Sequence, residues 1–232
     1  VVEYLFYFIT KCLYFILVNI YDIKVSWYNK APGNIWQLCI CSTFIILSGF
    51  CFHLGTKHIK RALYIIVSSI IISLVTYIFM PDNKIIFGIL WFIGTTMLII
   101  MPLDKVLKKI NPYVGIICSF ILFLLSKNIE IGKISFIKWD IITLPKSLYA
   151  NLFTTYIGFS YDGFSSADYF PLLPWIWLYF IGYYIFLICD KYDLLKYLSA
   201  FNIKFLGWLG RHSLIIYMLH QVVIYVILYL VF

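Results

Sequence analysis

Charge is what this sequence has least of. Only 12% of its 232 residues are Asp, Glu, Lys or Arg, where about 25% is ordinary for a soluble domain, while 63% are apolar. So few polar residues cannot cover one water-facing core large enough to bury the rest. Other absences narrow the reading further. The glycines Gly49, Gly88, Gly94, Gly182, Gly207 and Gly210 form no phosphate-loop pattern and are read as points of close helix approach. Cys12, Cys39, Cys41, Cys51, Cys118 and Cys189 fall inside or at the edges of apolar runs, so no secreted-type disulfide framework is expected. Cys39 and Cys41 have no further soft ligand near them in sequence, so no metal site is expected. The apolar–polar alternation of an outer-membrane strand is missing, since runs such as Ile215 to Leu219 are apolar on every face.

What is present is a series of long apolar runs. A spanning helix needs roughly 20 mainly apolar residues, because each residue rises about 1.5 Å against a hydrocarbon core about 30 Å thick. Seven stretches approach that length: Leu5 to Asn19, Ile35 to Leu54, Ala62 to Met80, Ile85 to Leu103, Tyr113 to Ser126, Phe170 to Cys189 and His212 to Phe232. The prediction is an all-α, polytopic transmembrane helix bundle of about seven spans, forming one integral membrane domain over residues 1–232. Lys11 interrupts the first run and Lys127 cuts the fifth short, so five or six spans is the alternative. The first run ends in Asn19, Tyr21, Asp22 and Lys24 rather than small residues, so no cleavable signal is expected and the start reads as truncated.

Positive loops are retained on the cytoplasmic side. Lys57, Lys60 and Arg61 follow the second run; Lys105, Lys108 and Lys109 follow the fourth; Lys191, Lys196, Lys204 and Arg211 follow the sixth. The opposite loops mix signs, notably Lys127 to Asp168, where Glu130, Asp140, Asp162 and Asp168 offset four lysines. The expected topology has the N-terminus inside and the C-terminus outside. The net charge of +8 is thereby a topology signal, and nucleic-acid binding is not expected. The partner implied is the lipid bilayer, with homo-oligomerisation left open. The long connection from Lys127 to Tyr169 is aromatic and is expected to lid the outer face, lying on the membrane or re-entering it.

Polar residues at membrane depth are costly, so they mark candidate chemistry. Ser213, Tyr217, His220 and Gln221 recur at helical spacings of three and four and share one face. With Arg211 at the inner surface, His220 lies ~14 Å along the axis, near the bilayer centre. It is read either as a packing histidine bonded to a neighbouring helix or as a proton acceptor facing a polar cavity. In GFSSADYFPLLPW, Gly163 to Trp175, Asp168 is read as the cap of the sixth helix, with Pro171 in its first turn, or as a group that binds an acceptor or orients a base. Pro174 is expected to bend that helix and free carbonyls toward a cavity. Lys57, Lys60, Arg61 and Arg211 are either topology signals or phosphate holders beside helix N-termini.

FIILSGF at Phe44 to Phe50, Lys60–Arg61, FGILWFIG at Phe87 to Gly94, DYFPLLPW at Asp168 to Trp175 and LGRHSLIIYMLHQ at Leu209 to Gln221 occur in a distinctive order. Through them the chain resembles the bacterial membrane proteins grouped with heparan-α-glucosaminide N-acetyltransferase, over about residues 40 to 230. The resemblance implies acyl transfer across a plasma membrane, from cytoplasmic acetyl-CoA to a glycan or amino-sugar on the outer side. It implies Arg61, Arg211 and Lys57 as cofactor-binding residues, His220 and Asp168 as catalytic, and Asp22, Tyr217 and Gln221 as substrate-binding. Tyr21 and Asp22 keep part of a His-x-x-Tyr-Asp pattern of relatives, without its histidine. Asn29 to Ala31 lack the loop histidine of the animal enzyme, and Trp91 stands where FGIL often continues with His. The rival reading is a non-catalytic membrane protein that binds or transports a lipid-linked sugar or small solute.

Overall fold

The computed structural model describes residues 31–79, 81, 84–136 and 139–200, with the isolated positions 208, 210, 212, 214–216 and 219. Helices account for most of it: α1 (Ala31–Phe50), α2 (His58–Phe79), α3 (Ile89–Leu107), α4 (Pro112–Ser126), the short α5 (Leu152–Ile157), α6 (Leu172–Lys191) and α7 (Leu195–Ala200). Four segments are long and apolar enough to cross a bilayer: His58–Phe79, Ile89–Leu107, Pro112–Ile131 and Leu172–Lys191, with a shorter apolar stretch at Leu38–Phe50. These correspond to the second to sixth expected runs. The first expected span and almost all of the seventh lie outside the described residues.

The helices are apolar on the wrong side for water. In α2 the buried positions are Ala62, Ser68, Ser69, Ile72 and Thr76, whereas Leu63, Val67, Ile71, Leu74 and Ile78 are exposed. Small and hydroxyl side chains let neighbouring backbones approach, and the large aliphatic ones are left for lipid. In water such a face would be a large aggregation-prone patch. The chain is a membrane protein on this ground as well as by helix length. Two of the buried hydroxyls are satisfied within the helix: Ser68 donates to the Tyr64 carbonyl at 2.8 Å and Thr76 to that of Ile72 at 2.9 Å.

The described residues fall into two units, one of them Ile45–Leu195 and the other formed by residues on either side of it. Within Ile45–Leu195, α2 pairs with α3 and α4 with α6, while α3 touches α6 more sparsely. The close pairs depend on glycine. A methyl at Gly94 of α3 would stand 3.2 Å from the Ala62 carbonyl of α2, and one at Gly115 of α4 would meet the Tyr184 ring of α6. The last turns of α1 meet α6 through Gly49, whose missing side chain admits the Tyr179 carbonyl, and Gly182, which admits that of Ile46.

Two features depart from the all-α expectation and the expected boundaries. The connection after α4 contains an antiparallel hairpin, β1 (Lys133–Phe136) and β2 (Trp139–Thr143), pairing Lys133 with Thr143 and Phe136 with Trp139, with an irregularity between Ile134 and Ser135. Its short strands lie within a run too brief to show an alternation. The fourth run starts as a helix only at Ile89, not Ile85, because Lys84 to Gly88 are extended or turn residues and Phe87 takes a left-handed φ of 57°. Helix α6 is interrupted near its start, where Leu173 has φ −97° and ψ 134° before Pro174, in keeping with the expected bend; the Leu173 carbonyl lies close against Gly158. Cys39, Cys41, Cys51, Cys118 and Cys189 are unbridged.

Candidate functional site

The up-and-down course of α2, α3, α4 and α6 brings polar groups together at both ends of the bundle. At one end, Lys84–Gly88 and Ser166–Phe170 run side by side. The Ala167 N–H donates to the Lys84 carbonyl at 3.0 Å and the Phe170 N–H to that of Phe87 at 2.9 Å. The Ser166 hydroxyl donates to the Ile86 carbonyl and accepts the Ile86 N–H, both at 2.9 Å. Asp168 completes the clasp: its carboxylate accepts the Ile89 N–H at 3.2 Å. It therefore caps α3 rather than its own helix, whose N-cap position is Pro171. This corrects the expected capping partner, and the reason is general: a helix N-terminus with free N–H groups and a positive dipole attracts a carboxylate from anywhere in the fold.

An aromatic group stands beside the clasp. Phe87 is 5.4 Å from Tyr156, 6.0 Å from Trp91 and 6.4 Å from Phe164, centroid to centroid. The Tyr156 hydroxyl donates to Thr95, whose own hydroxyl donates to the Trp91 carbonyl at 2.7 Å. Tyr169 donates to the Thr155 carbonyl at 2.6 Å. Burial holds the Tyr156 and Tyr169 phenols above their usual pKa, so both remain neutral donors.

The other end is basic. Lys57, Lys60 and Arg61 are exposed at the start of α2, and the Arg61 guanidinium folds onto Gly55, where a side chain would collide with it. Beside them lies a cavity of about 210 Å³ lined by Phe52, His53, His58, Met101, Asp104 and Lys108. The Asp104 carboxylate pairs with Lys108 at 2.6 Å and accepts the Tyr183 hydroxyl at 2.7 Å, joining α3 to α6. His53 lies against Phe186 and Tyr183, at 4.7 and 4.4 Å between ring centres, and His58 stacks on Phe52 at 4.5 Å. Burial lowers the His53 pKa, with Lys108 adding to the effect and Asp104 opposing it, so its imidazole is neutral near pH 7. His53 Nε2 and His58 Nδ1 are buried without a hydrogen-bond partner among the described residues.

The sequence-predicted residues thus separate. Asp168 belongs to one end, Lys57 and Arg61 to the other, and Asp22, Arg211, Tyr217, His220 and Gln221 lie outside the described residues. The cluster of His53, His58, Asp104 and Tyr183 was missed. Its signal was HLGTKH, which places two of the chain's four histidines next to the basic loop. Among the described residues no group of three or more His, Cys, Asp or Glu could hold a metal ion.

No curated protein and no solved structure matches the chain. The family model described as "Heparan-alpha-glucosaminide N-acetyltransferase, catalytic" matches residues 5–222 and so covers both ends of the bundle. A match of that extent, carried on a membrane helix bundle with a cationic end, means that the chain belongs to the heparan-alpha-glucosaminide N-acetyltransferase catalytic family.

Proposed function

We propose that this chain transfers an acetyl or related acyl group from acyl-CoA on the cytoplasmic side to a glycan or amino-sugar on the outer side of a plasma membrane. Family membership makes an acyltransferase-like activity the starting point. The observation that carries the donor side is the cationic first turn of α2. Lys57, Lys60 and Arg61 are exposed there, beside backbone N–H groups that have no partner within the helix. Phosphate groups suit both features. This donor set fits the phosphates of a coenzyme A, and Lys57, Arg61 and Arg211 would hold them. The bound donor supplies an activated thioester.

The remaining assignments follow the same reading. His220 takes the proton from the attacking amine or hydroxyl, and Asp168 orients that acceptor group through its charge. Asp22, Tyr217 and Gln221 bind the acceptor. The positive-inside rule places the basic end in the cytoplasm, with the N-terminus inside and the C-terminus outside. Residues 1–232 form one membrane domain.

Calorimetry with acetyl-CoA and the detergent-purified full chain tests the donor side. Arg61→Ala and Arg211→Ala should each weaken binding by roughly tenfold, the loss of one charge-assisted hydrogen bond. His220→Ala should bind the donor but leave glucosamine unacetylated. If the unaltered chain binds no acetyl-CoA, the reading gives way to a non-catalytic member that binds or moves a lipid-linked sugar.

A further inference from the structure

A groove of about 280 Å³ lies between α2 and α3 near the Asp168 end. Its mouth is formed by Ile70, Leu74 and Tyr77, which are 42, 56 and 65% exposed on the aliphatic stripe of α2. That stripe faces the bilayer, so the groove opens onto hydrocarbon. An apolar chain is therefore the occupant that its surroundings supply.

The wall facing the mouth is different. Trp91 lines the groove with its ring, the indole Nε1 being enclosed by protein. Phe87 also lines the groove and belongs to the aromatic group with Tyr156 and Phe164. A bulky non-glycine residue held at φ 57° is strained, and such strain gathers at binding and switch sites. Flat aromatic faces suit the apolar face of a sugar ring. None of the groove-lining residues is basic, which disfavours a phosphate headgroup.

We infer that this groove holds the apolar chain of a glycolipid, with its sugar against Phe87 and Trp91, so that the acceptor arrives sideways from the bilayer. The inference rests on the acyl-transfer reading and names the acceptor as an amphiphile.

The test uses the full chain in phosphatidylcholine nanodiscs and a dodecyl β-glucoside carrying a diazirine on its chain, with a diazirine phosphatidylglycerol for comparison. After irradiation, the glucoside label should map to Ile70, Leu74, Tyr77 and Phe87. Leu74→Trp, which fills the mouth, should reduce labelling roughly tenfold, and Trp91→Leu, which removes the flat aromatic face, roughly fivefold. Leu63→Trp, on the same stripe of α2 but at its other end, should leave labelling unchanged. Equal labelling of the groove by phosphatidylglycerol, or labelling indifferent to Leu74→Trp, overturns the inference. Acetyl transfer is read separately. Groove labelling without any transfer supports the lipid site while removing the acyltransferase reading. Transfer to a membrane-bound glucosaminide at an undiminished rate in Leu74→Trp keeps that reading and overturns this one.

Discussion

The Asp168 carboxylate and the Ile89 N–H, 79 positions apart in sequence, meet at 3.2 Å. A residue of the long connection thereby helps set where α3 begins, and the DYFPLLPW motif is tied to the FGIL motif it never touches in sequence. The same carboxylate is the proposed orienting group, so its structural and chemical roles need separating.

Asp168→Ala should lower stability by ~1 kcal/mol, as loss of a helix cap does elsewhere. Asp168→Asn keeps a side-chain acceptor and loses only the charge–dipole part, less than about 1 kcal/mol. Thermal unfolding in detergent measures both. A fall in acetyl transfer of a hundredfold or more in Asp168→Asn, with melting nearly unchanged, would mark a role beyond capping; parallel small losses would leave Asp168 as a cap alone.

Gly49→Ala and Gly182→Ala each drive a methyl into a backbone carbonyl of the facing helix, that of Tyr179 or of Ile46. Backbone cannot move aside as a flexible side chain does. Each variant should lose ~1–3 kcal/mol, the usual cost of overpacking. Reduced monodisperse yield after mild heating, compared with the unaltered protein, is the readout.

His53 gives the protein a pH dependence of known sign. Its pKa lies below the ordinary 6.5 because burial disfavours the imidazolium. As pH falls below about 6.5 the unfolded chain takes up a proton that the folded chain does not, so stability is full above that value and declines below it. Melting temperature should drop between pH 7.5 and 5.5, and His53→Gln should flatten the drop. An equal drop in His53→Gln would assign the effect to other groups.

Tyr183→Phe removes the hydroxyl that binds the Asp104 carboxylate and should cost ~1.5–3 kcal/mol, as hydrogen bonds to charged groups do. Lys108→Ala breaks an ion pair whose lysine side chain is 50% exposed; solvent screening limits its cost to less than about 1 kcal/mol. Paired unfolding measurements on the two variants should therefore rank the tyrosine well above the lysine.

Helices α2, α3, α4 and α6 were legible because hydrocarbon thickness sets a length that composition alone reveals. The start of α3 was not, since it is decided by Asp168 and by the conformation of Phe87 rather than by hydropathy. The hairpin was hidden for a related reason: Lys133–Phe136 is only four residues long and is stabilised partly from outside, through Asn128 bonding to Ser135. The site was half readable. Lys57, Arg61 and Asp168 stood out as charges at the ends of apolar runs. The convergence of His53 and His58 with Asp104 and Tyr183 depends on two connections closing at one end of the bundle, which no local pattern encodes.

The pairing of helices also determines where this bundle is mechanically soft. Where glycine seats one backbone on another, as between α2 and α3, sliding would force atoms through one another. The sparser boundary of α3 with α6 is tied at one end by the side-chain bond of Tyr183 to Asp104, and at the other the segments before the two helices are clasped by backbone bonds, Ala167 to Lys84 and Phe170 to Phe87, as well as by Asp168 to Ile89 and Ser166 to Ile86. Hydrogen bonds can be broken and remade one at a time, whereas a packed seam must come apart at once. Among the described helices, displacement along the α3–α6 boundary, with each close pair kept intact, disturbs fewer packed atoms than sliding within either pair.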